Sequence, residues 1–439
     1  MARRIIALFL MLCMPVGLVA CGHSPADGTT VTTDTQATTA NTTVPTTEPE
    51  TQPTTEPTTE PTEPALEEVD FSTLWTPICE NYINLQSSPG GATIGSIPVG
   101  ATLTLQKWYE KHALVTYEGK QGYVSANYIK PADESYFTKR LRVVSPTCKY
   151  TYEQMLSDME ALQMMYPKLI RLGIIGKSED GRDIPVMILG NPDAPKHILM
   201  QGAMHAREHF TAWLLMAIAD NSLLMNYLAD ESVCYHIIPM SNPDGVVLSQ
   251  TQTLNSVQEE IYKRDLSYGY TTYGKEYYAQ QWKSNGLGVD LNRNFPSGWE
   301  GSLEHPKPSS SHYRGESPLC ATESKALADY TLSRSFAATF SFHSSGSVLY
   351  YHYGSKQPVN DLSYRLALAV QKNTGYTPIG GSDGTSGAGY KDWAMDALGI
   401  PSLTVEIGSY TTPLEQRDIY NTFARFESFL PTLSSWLAQ

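Results

Sequence analysis

The chain has little positive charge, few cysteines and a long stretch that is almost free of apolar residues. Its 439 residues contain 31 Lys and Arg against 45 Asp and Glu, a net charge of −14, and no basic patch stands out. This balance argues against nucleic acid as a partner. The apolar run from Ile5 to Val16 is shorter than the roughly 20 residues that a transmembrane helix needs. The length still allows two or three domains and a sizeable core.

The first twenty residues have the pattern of an export signal. Arg3 and Arg4 precede the apolar run, which is followed by Leu18-Val19-Ala20-Cys21. This ending resembles a bacterial lipobox, so we expect residues 1–20 to be a lipoprotein-type signal peptide and Cys21 to carry lipid. An ordinary secretory signal cut nearby is the alternative. Both kinds of signal predict an extracellular protein. With the lipoprotein-type signal, the protein is held at the membrane only through its lipid anchor and faces the cell wall.

Residues 21–70 are rich in Thr, Pro and Glu and poor in apolar residues. The unit Thr-Thr-Glu-Pro occurs at 46–49, 54–57 and 58–61. Such a segment cannot offset its ordering entropy by burial, so we expect a disordered linker. Residues 1–70 hold two Arg and ten Asp or Glu, so most of the net negative charge lies there. A spacer that lifts a domain away from a membrane fits this composition.

Four cysteines remain for the folded part: Cys79, Cys148, Cys234 and Cys320. Two disulfides can form outside the cell. Four cysteines allow three pairings, and the sequence does not choose among them.

Residues 76–131 predict a small all-β barrel module, because short strands alternate with Gly and Pro turns. The strings NLQSSPGGATIGSIPVGATLTL and GKQGYVSANYI resemble a bacterial Src-homology-3-like domain. That resemblance implies binding to the cell wall. Five aromatic residues are candidates for a binding groove, with the core as their alternative place: Trp108, Tyr109, Tyr117, Tyr123 and Tyr128.

Residues 148–439 predict an α/β domain, because apolar strands without polar alternation are separated by helical patterns. Strands are expected at 184–189, 198–201, 233–239, 339–342 and 402–406. Helices are expected at 151–166, 210–226, 322–334, 360–374 and 418–437. The expected architecture is a mixed twisted sheet flanked by helices.

Polar side chains stand where several of these strands end. His205 and Glu208 follow one strand, His343 ends another, and Glu406 lies at the rim of a third. Catalytic sites in open α/β sheets form at such strand ends. Two histidines and a glutamate with an open fourth position are typical of catalytic zinc.

Five motifs then occur in order: HARE at 205–208, NPDG at 242–245, VDLNRNF at 289–295, SFHS at 341–344 and LTVEIG at 403–408. Together they resemble the zinc carboxypeptidase family over nearly all of residues 148–439. The resemblance implies one Zn²⁺ per chain held by His205, Glu208 and His343. It implies that Glu406 is the general base toward the zinc-bound water, and that Asp290 orients the first histidine.

The resemblance also implies a group of substrate-binding residues: Arg207, Lys283, Asn292, Arg293 and Lys391. Asn292 and Arg293 match the pair that grips a substrate carboxylate. Lys283 stands where the family commonly has an arginine beside the oxyanion. Lys391 occupies the specificity-pocket position, where a lysine favours a substrate carboxylate; a side chain turned into solvent is the alternative. The family's substrate-covering tyrosine is absent at Gly384, so the surrounding loop is expected to be reshaped.

Three functions follow from these features. The first is a secreted zinc metallopeptidase that cuts peptidoglycan stem peptides, at a gamma-D-glutamyl–diamino acid bond or an adjacent one. The second is a metallocarboxypeptidase that removes acidic C-terminal residues from ordinary peptides. The third is a non-catalytic cell-wall-binding protein, which the intact set of ligands and Glu406 argue against.

Overall fold

The computed structural model describes residues 73–302, 305–380, 387–408 and 411–439. The expected signal peptide, the linker and the lipidation site at Cys21 lie outside these ranges. All the described residues belong to one compact unit, residues 67–439. Within them, no helix combines the length and the apolar character needed to cross a membrane.

The small module is one antiparallel sheet of seven strands. They are β1 (Leu74–Pro77), β2 (Tyr82–Gln86), β3 (Thr93–Pro98), β4 (Leu103–Trp108), β5 (His112–Tyr117), β6 (Lys120–Ser125) and β7 (Ile129–Pro131). Their order is β3-β2-β6-β5-β4-β1-β7. Alternate residues such as Ile83, Leu85, Val115 and Val124 turn inward and form a core of their own. The all-β prediction is therefore confirmed, and β1 begins two residues before the expected start of the module at residue 76.

One aromatic residue predicted for a groove lies in the core of this module. Trp108 is buried and meets Trp75 edge to face at 5.2 Å between ring centroids. Tyr109 and Tyr123 are partly exposed and contact each other at 5.4 Å, and Tyr128 is exposed. Only these outer tyrosines, with the partly exposed Tyr117, stay candidates for binding.

The large domain is built on one mixed sheet of eight strands. They are β8 (Ile170–Lys177), β9 (Asp183–Gly190), β10 (Lys196–Gln201), β11 (Val233–Ile238), β12 (Ala338–Ser344), β13 (Val348–Tyr350), β14 (Thr377–Ile379) and β15 (Ser402–Ile407). Their order is β14-β13-β15-β12-β10-β11-β9-β8. The four central strands, β15, β12, β10 and β11, run parallel. Their carboxyl ends therefore meet at one edge, where the site lies.

Ten helices flank the sheets within the described residues. They are α1 (Tyr152–Met165), α2 (Phe210–Leu224), α3 (Pro243–Thr251), α4 (Ser256–Tyr268), α5 (Lys275–Gln280), α6 (Thr322–Leu332), α7 (Val359–Thr374), α8 (Tyr390–Leu398), α9 (Asp418–Phe426) and α10 (Phe429–Leu437). The α/β architecture is as expected, but the helix predicted over 418–437 is two helices. Pro431 explains the break, because proline lacks the N–H and its ring clashes with the preceding turn.

Helix α2 is buried on nearly every side, so polar residues on it need partners. Asp220 Oδ2 accepts three backbone N–H groups, from Arg142, Val143 and Val144, at 2.8–2.9 Å. These residues belong to the segment that joins the small module to the large domain. Burial raises the pKa of Asp220, and the three donors oppose that shift.

The small module packs directly against the large domain. The Arg425 guanidinium of α9 lies 4.4 Å from the ring centroid of Trp108 and 5.4 Å from that of Tyr376. Gly375 follows α7 with a φ of +67°, and a Cβ there would stand 2.5 Å from the carbonyl oxygen of Trp108. Only glycine allows this approach. The four cysteines of the described residues are unpaired, so neither predicted disulfide is present.

Candidate active site and metal centre

The candidate site lies at the carboxyl edge of the three neighbouring strands β15, β12 and β10. His205 follows β10 after the turn Gly202-Ala203-Met204, and His343 is the penultimate residue of β12. Glu406 of β15 pairs in register with His343. Parallel pairing thus brings together residues that lie up to 201 positions apart in the chain.

A short 3₁₀ turn, Ala206–Glu208, sets the first two residues side by side. The N–H of Glu208 donates to the carbonyl oxygen of His205 at 3.0 Å, which closes the turn. The side chains then meet, with His205 Nδ1 2.8 Å from Glu208 Oε1. Both residues are buried. The spacing of three in HARE is therefore a geometric requirement of this turn.

His343 completes a cluster that we call the His205 cluster, consisting of His205, Glu208 and His343. His343 Nδ1 lies 3.0 Å from Glu208 Oε2 and 3.1 Å from His205 Nδ1. The N–H of Ser344 also donates to Glu208 Oε2 at 3.1 Å. Burial acts to raise the pKa of Glu208, but the two imidazoles outweigh it and hold that pKa well below its usual range.

Asp290 holds the far side of His205. Its Oδ1 lies 3.2 Å from His205 Nε2, and its carboxylate accepts the backbone N–H groups of Asn292 at 3.2 Å and His312 at 3.0 Å. Burial opposes ionisation, yet the contact with His205 keeps the pKa of Asp290 well below its usual value. A charged Asp290 fixes the proton of His205 on Nε2.

The donor set fits a zinc ion. With the proton of His205 on Nε2, its Nδ1 presents a lone pair to Glu208 and to His343 Nδ1. Lone pairs that face one another in a buried site repel unless a cation lies between them. The three ligand atoms lie within 4.8 Å of one another. Two imidazoles and a carboxylate are a typical catalytic zinc set.

Glu406 stands beside this cluster on the neighbouring strand. Burial raises its pKa to about 7, and the charge of Glu208 adds to the rise, while His343, Lys283 and Arg207 oppose it. A carboxyl group with a pKa near neutrality can both accept and return a proton.

Arg207 and Lys283 are brought to the site by backbone pairing. The N–H groups of Ala206 and Arg207 donate to the carbonyl oxygens of Lys283 and Trp282, each at 3.0 Å. Arg207 Nη1 donates to Gln281 Oε1 at 3.0 Å. Both cationic side chains act electrostatically on Glu406. They therefore place positive charge near Glu406.

Asn292 and Arg293 lie on the 3₁₀ turn Leu291–Arg293, directly after Asp290. Asn292 Oδ1 accepts the N–H of Tyr390 at 3.1 Å. Arg293 Nη1 donates to the carbonyl oxygen of Asn292 at 3.1 Å, whereas its Nε is buried and has no partner within the described residues. An unsatisfied guanidinium N–H leaves binding capacity for an anionic group.

Lys391 lies on α8 and is buried, so its side chain does not turn into solvent. Its Nζ lies 2.5 Å from Asp392 Oδ1 and 2.8 Å from the carbonyl oxygen of His352. Burial raises the pKa of Asp392, and Lys391 and Arg293 oppose that shift. The pairing of Lys391 with Asp392 was not predicted from the sequence. The reshaped loop expected around Gly384 lies in residues 381–386, outside the described ranges.

Comparison with known proteins gives a consistent result. A family profile described as zinc carboxypeptidase matches residues 155–432. The chain is 32% identical over 291 residues to gamma-D-glutamyl-L-diamino acid endopeptidase 1 of Lysinibacillus sphaericus, covering 62% of this chain and 69% of that protein. It is 26% identical over 313 residues to carboxypeptidase A2 of Mus musculus, covering 66% and 68%.

A solved structure supports the fold. Bovine thrombin-activatable fibrinolysis inhibitor, in complex with tick carboxypeptidase inhibitor, superposes with a TM-score of 0.52 at 21% identity, covering 66% of this chain and 97% of that chain. The matched profile covers more than half of the chain and contains the whole His205 cluster, Asp290 and Glu406. The family expected from the five motifs is therefore confirmed: the chain belongs to the zinc carboxypeptidase family and is a zinc-dependent peptidase.

Proposed function

We propose that this peptidase hydrolyses peptidoglycan stem peptides at a gamma-D-glutamyl–diamino acid bond or an adjacent bond. The observation that carries the proposal is the relative from Lysinibacillus sphaericus, whose name describes an endopeptidase acting on gamma-D-glutamyl-L-diamino acid. The family profile, which matches residues 155–432, includes the residues that we assign to catalysis. Lys391 and Arg293 add cationic groups suited to a substrate that bears more than one carboxylate.

In this proposal His205, Glu208 and His343 would hold Zn²⁺, which when bound would supply a Lewis acid for the scissile carbonyl and the attacking water. Glu406 accepts the proton of that water and later delivers it to the leaving amine. Lys283 and Arg207 provide positive charge near the developing oxyanion. Asp290 keeps His205 in one tautomer throughout.

Arg293 and Asn292 hold a substrate carboxylate in this scheme. The observation that supports this role is the buried Arg293 Nε, which has no partner within the described residues. Lys391 lies one residue before Asp392, to which its ammonium is paired, so any effect on a substrate depends on the pair together.

The rest of the chain fits a protein held at the cell wall. Lipid on Cys21 anchors the protein to the outer face of the membrane, and residues 21–70 act as a spacer. The small β module binds the wall through its outer tyrosines, Tyr109, Tyr123 and Tyr128. Its packing against α9 then presents the catalytic domain to nearby stem peptides.

A digest of purified muropeptides tests the substrate. We expect new products, identified by mass spectrometry, that carry a free diamino acid amine or a free gamma-carboxyl of D-glutamate. A chelator abolishes them and added zinc restores them. Ordinary peptides ending in Glu or Asp serve as matched competitors. Zinc-dependent cleavage of those peptides, without cleavage of muropeptides, would instead identify a carboxypeptidase for acidic C-termini.

A further inference from the structure

A second group of metal-binding side chains lies at the opposite end of the central strands. His197 is the second residue of β10, and Cys234 and His236 lie on β11. The two strands are parallel, and His197 pairs in register with Cys234. Because side chains alternate along a strand, Cys234 and His236 point to the same face. We call these three residues the His197 cluster.

The ligand atoms of the His197 cluster are close together. His197 Nδ1 lies 2.9 Å from His236 Nε2, and Cys234 Sγ lies 3.8 Å from the same nitrogen. All three lie within 4.8 Å of one another. In a tetrahedral zinc site the ligand separations are about 3.3 Å for two nitrogens and about 3.6 Å for nitrogen and sulfur. Small side-chain rotations therefore convert this arrangement into a metal site.

His236 is already oriented for such a role. Its Nδ1 lies 2.7 Å from the hydroxyl of Tyr330 on α6, so that nitrogen can donate its proton while the lone pair of Nε2 faces His197 Nδ1 at 2.9 Å. Metal-binding histidines are usually held in this way by a partner on the other ring nitrogen. Burial also lowers the pKa of His236 to about 3, so the ring stays neutral.

Solvent reaches the His197 cluster from one side only, the side of His197. Cys234 and His236 are buried, whereas His197 is partly exposed. Arg334 and Arg171 are exposed, so their repulsion toward a bound cation is reduced by solvent. They act to lower the pKa of the Cys234 thiol, while burial, the larger influence, raises it to about 11.

We propose that His197, Cys234 and His236 form a second metal site, for a divalent transition ion of the zinc class. The fourth position faces the partly exposed side of His197 and takes water. Binding converts the Cys234 thiol to a thiolate and releases its proton to solvent. The ligand set includes a sulfur and no carboxylate, and within the described residues no carboxylate contacts it. The ion therefore ties β10 to β11.

Cobalt distinguishes this site from the catalytic one, because only the His197 cluster contains sulfur. The full chain is freed of metal by chelation and titrated with Co²⁺. We expect two equivalents to bind, one of them with a thiolate-to-cobalt charge-transfer band. His343→Ala, which disables the His205 cluster, should bind one equivalent and keep the full band.

Cysteine variants assign the band. Cys234→Ser should lose the band and one of the two equivalents, and the matched control Cys79→Ser should keep both. His197→Ala changes the more exposed ligand and should likewise lose one equivalent, even where Cys234→Ser folds poorly. A wild-type chain without a sulfur band at saturating Co²⁺, or a band that persists in Cys234→Ser, would overturn the proposal. Both results are independent of peptidase activity.

Discussion

The two ends of the central strands carry clusters of similar composition and different surroundings. The His205 cluster and the His197 cluster each contain two histidines, and β10 leads from one to the other. The His205 cluster is surrounded by ionisable groups. Asp290 contacts His205, and Glu406 beside the cluster is influenced electrostatically by Lys283 and Arg207. The second is surrounded by aromatic rings, with His236 5.2 Å from Phe336 and 5.9 Å from Tyr330 between ring centroids.

This difference shows why strand direction matters for function. The carboxyl ends of parallel strands open into loops, and these loops bring Lys283, Asn292 and Arg293 around the His205 cluster. The amino ends are covered by α6, whose Tyr330 contacts His236. Similar ligands can therefore serve chemistry at one end and structure at the other. Four predictions test this contrast, from the largest expected effect to the smallest.

Glu406→Gln should have the largest effect, because it removes the proton acceptor and retains the size of the side chain. We expect turnover to fall by about 10²–10⁴-fold. Bound zinc, measured by elemental analysis, should be unchanged, since Glu406 is not among the three ligands. Peptide hydrolysis measured at saturating substrate checks the first expectation.

The control for this variant is Glu153→Gln on the exposed face of α1, which should behave as wild type. Near-normal turnover of Glu406→Gln would mean that another group is the base. Loss of zinc along with activity would mean that Glu406 supports the ligands instead.

Asp290→Asn should have the next largest effect. The amide cannot hold the proton of His205 on Nε2 as a carboxylate does, so the Nδ1 lone pair is less available. A loss of roughly 10–100-fold in zinc affinity or activity is expected. Competition with a chelator measures the affinity, and Asp329→Asn, at an exposed ion pair on α6, is the control. If the affinity were unaffected, the 3.2 Å contact between Asp290 and His205 would have no role in tuning the metal.

Much of the His205 cluster could be predicted from the sequence, because its residues stand in motifs that resemble those of the zinc carboxypeptidase family. His205 and Glu208 are separated by one short turn, and His343 and Glu406 end apolar strands. The His197 cluster could not be predicted in the same way. Its histidines and its cysteine meet only through the register between β10 and β11, which no local pattern specifies.

The prediction of the fold was likewise correct for some elements and wrong for others. The five predicted strands of the large domain are present, and so are four of its five predicted helices. The strands β8, β13 and β14 and the helices α3, α4, α5 and α8 were missed. For β8 the reason can be named. Gly173 and Gly176 interrupt its alternation, and as an edge strand it buries little surface. The helix predicted over 418–437 was wrong because Pro431 was overlooked as a breaker. Local sequence propensity predicted secondary structure correctly where the same residues are also buried in the fold.

The contact between Lys391 and Asp392 could not be predicted either, because adjacent side chains on a helix do not face each other. It arises in the first turn of α8, where His352 offers its carbonyl oxygen as a second acceptor. Burial of both groups then favours the close pair.

Lys391→Met keeps the length of the side chain and removes its charge. If the pair selects anionic substrates, kcat/KM for a substrate with two carboxylates should fall on the order of tenfold, equivalent to about 1.4 kcal/mol. A substrate without the second carboxylate should lose less. Kinetics on the two substrates give the comparison, with Lys372→Met at the exposed end of α7 as the control. Equal losses on both substrates would show that Lys391 only supports the packing of α8.

The smallest effect is expected for Glu323, at the start of α6, the helix that joins the two ends of the central strands. Its carboxylate accepts Asn285 Nδ2 at 3.0 Å and the N–H of Glu179 at 3.3 Å, while Tyr330 farther along α6 contacts His236. Burial raises the pKa of Glu323 to about 7, with the two hydrogen bonds opposing and the charge of Glu179 adding to the rise. The folded state thus favours the protonated group.

A raised folded pKa means that this contribution to stability is complete below the unfolded pKa of about 4.5 and is lost as the pH rises through about 7. Glu323→Gln keeps the hydrogen-bonding shape without the charge. The variant should therefore gain stability relative to wild type at pH 8 and not at pH 4.5, by on the order of 1 kcal/mol. Urea unfolding at the two pH values measures this, with Glu160→Gln on the exposed face of α1 as the control. A variant with the same pH dependence as wild type would mean that Glu323 is ionised in the fold, and that α6 is held to the active-site loop by charge.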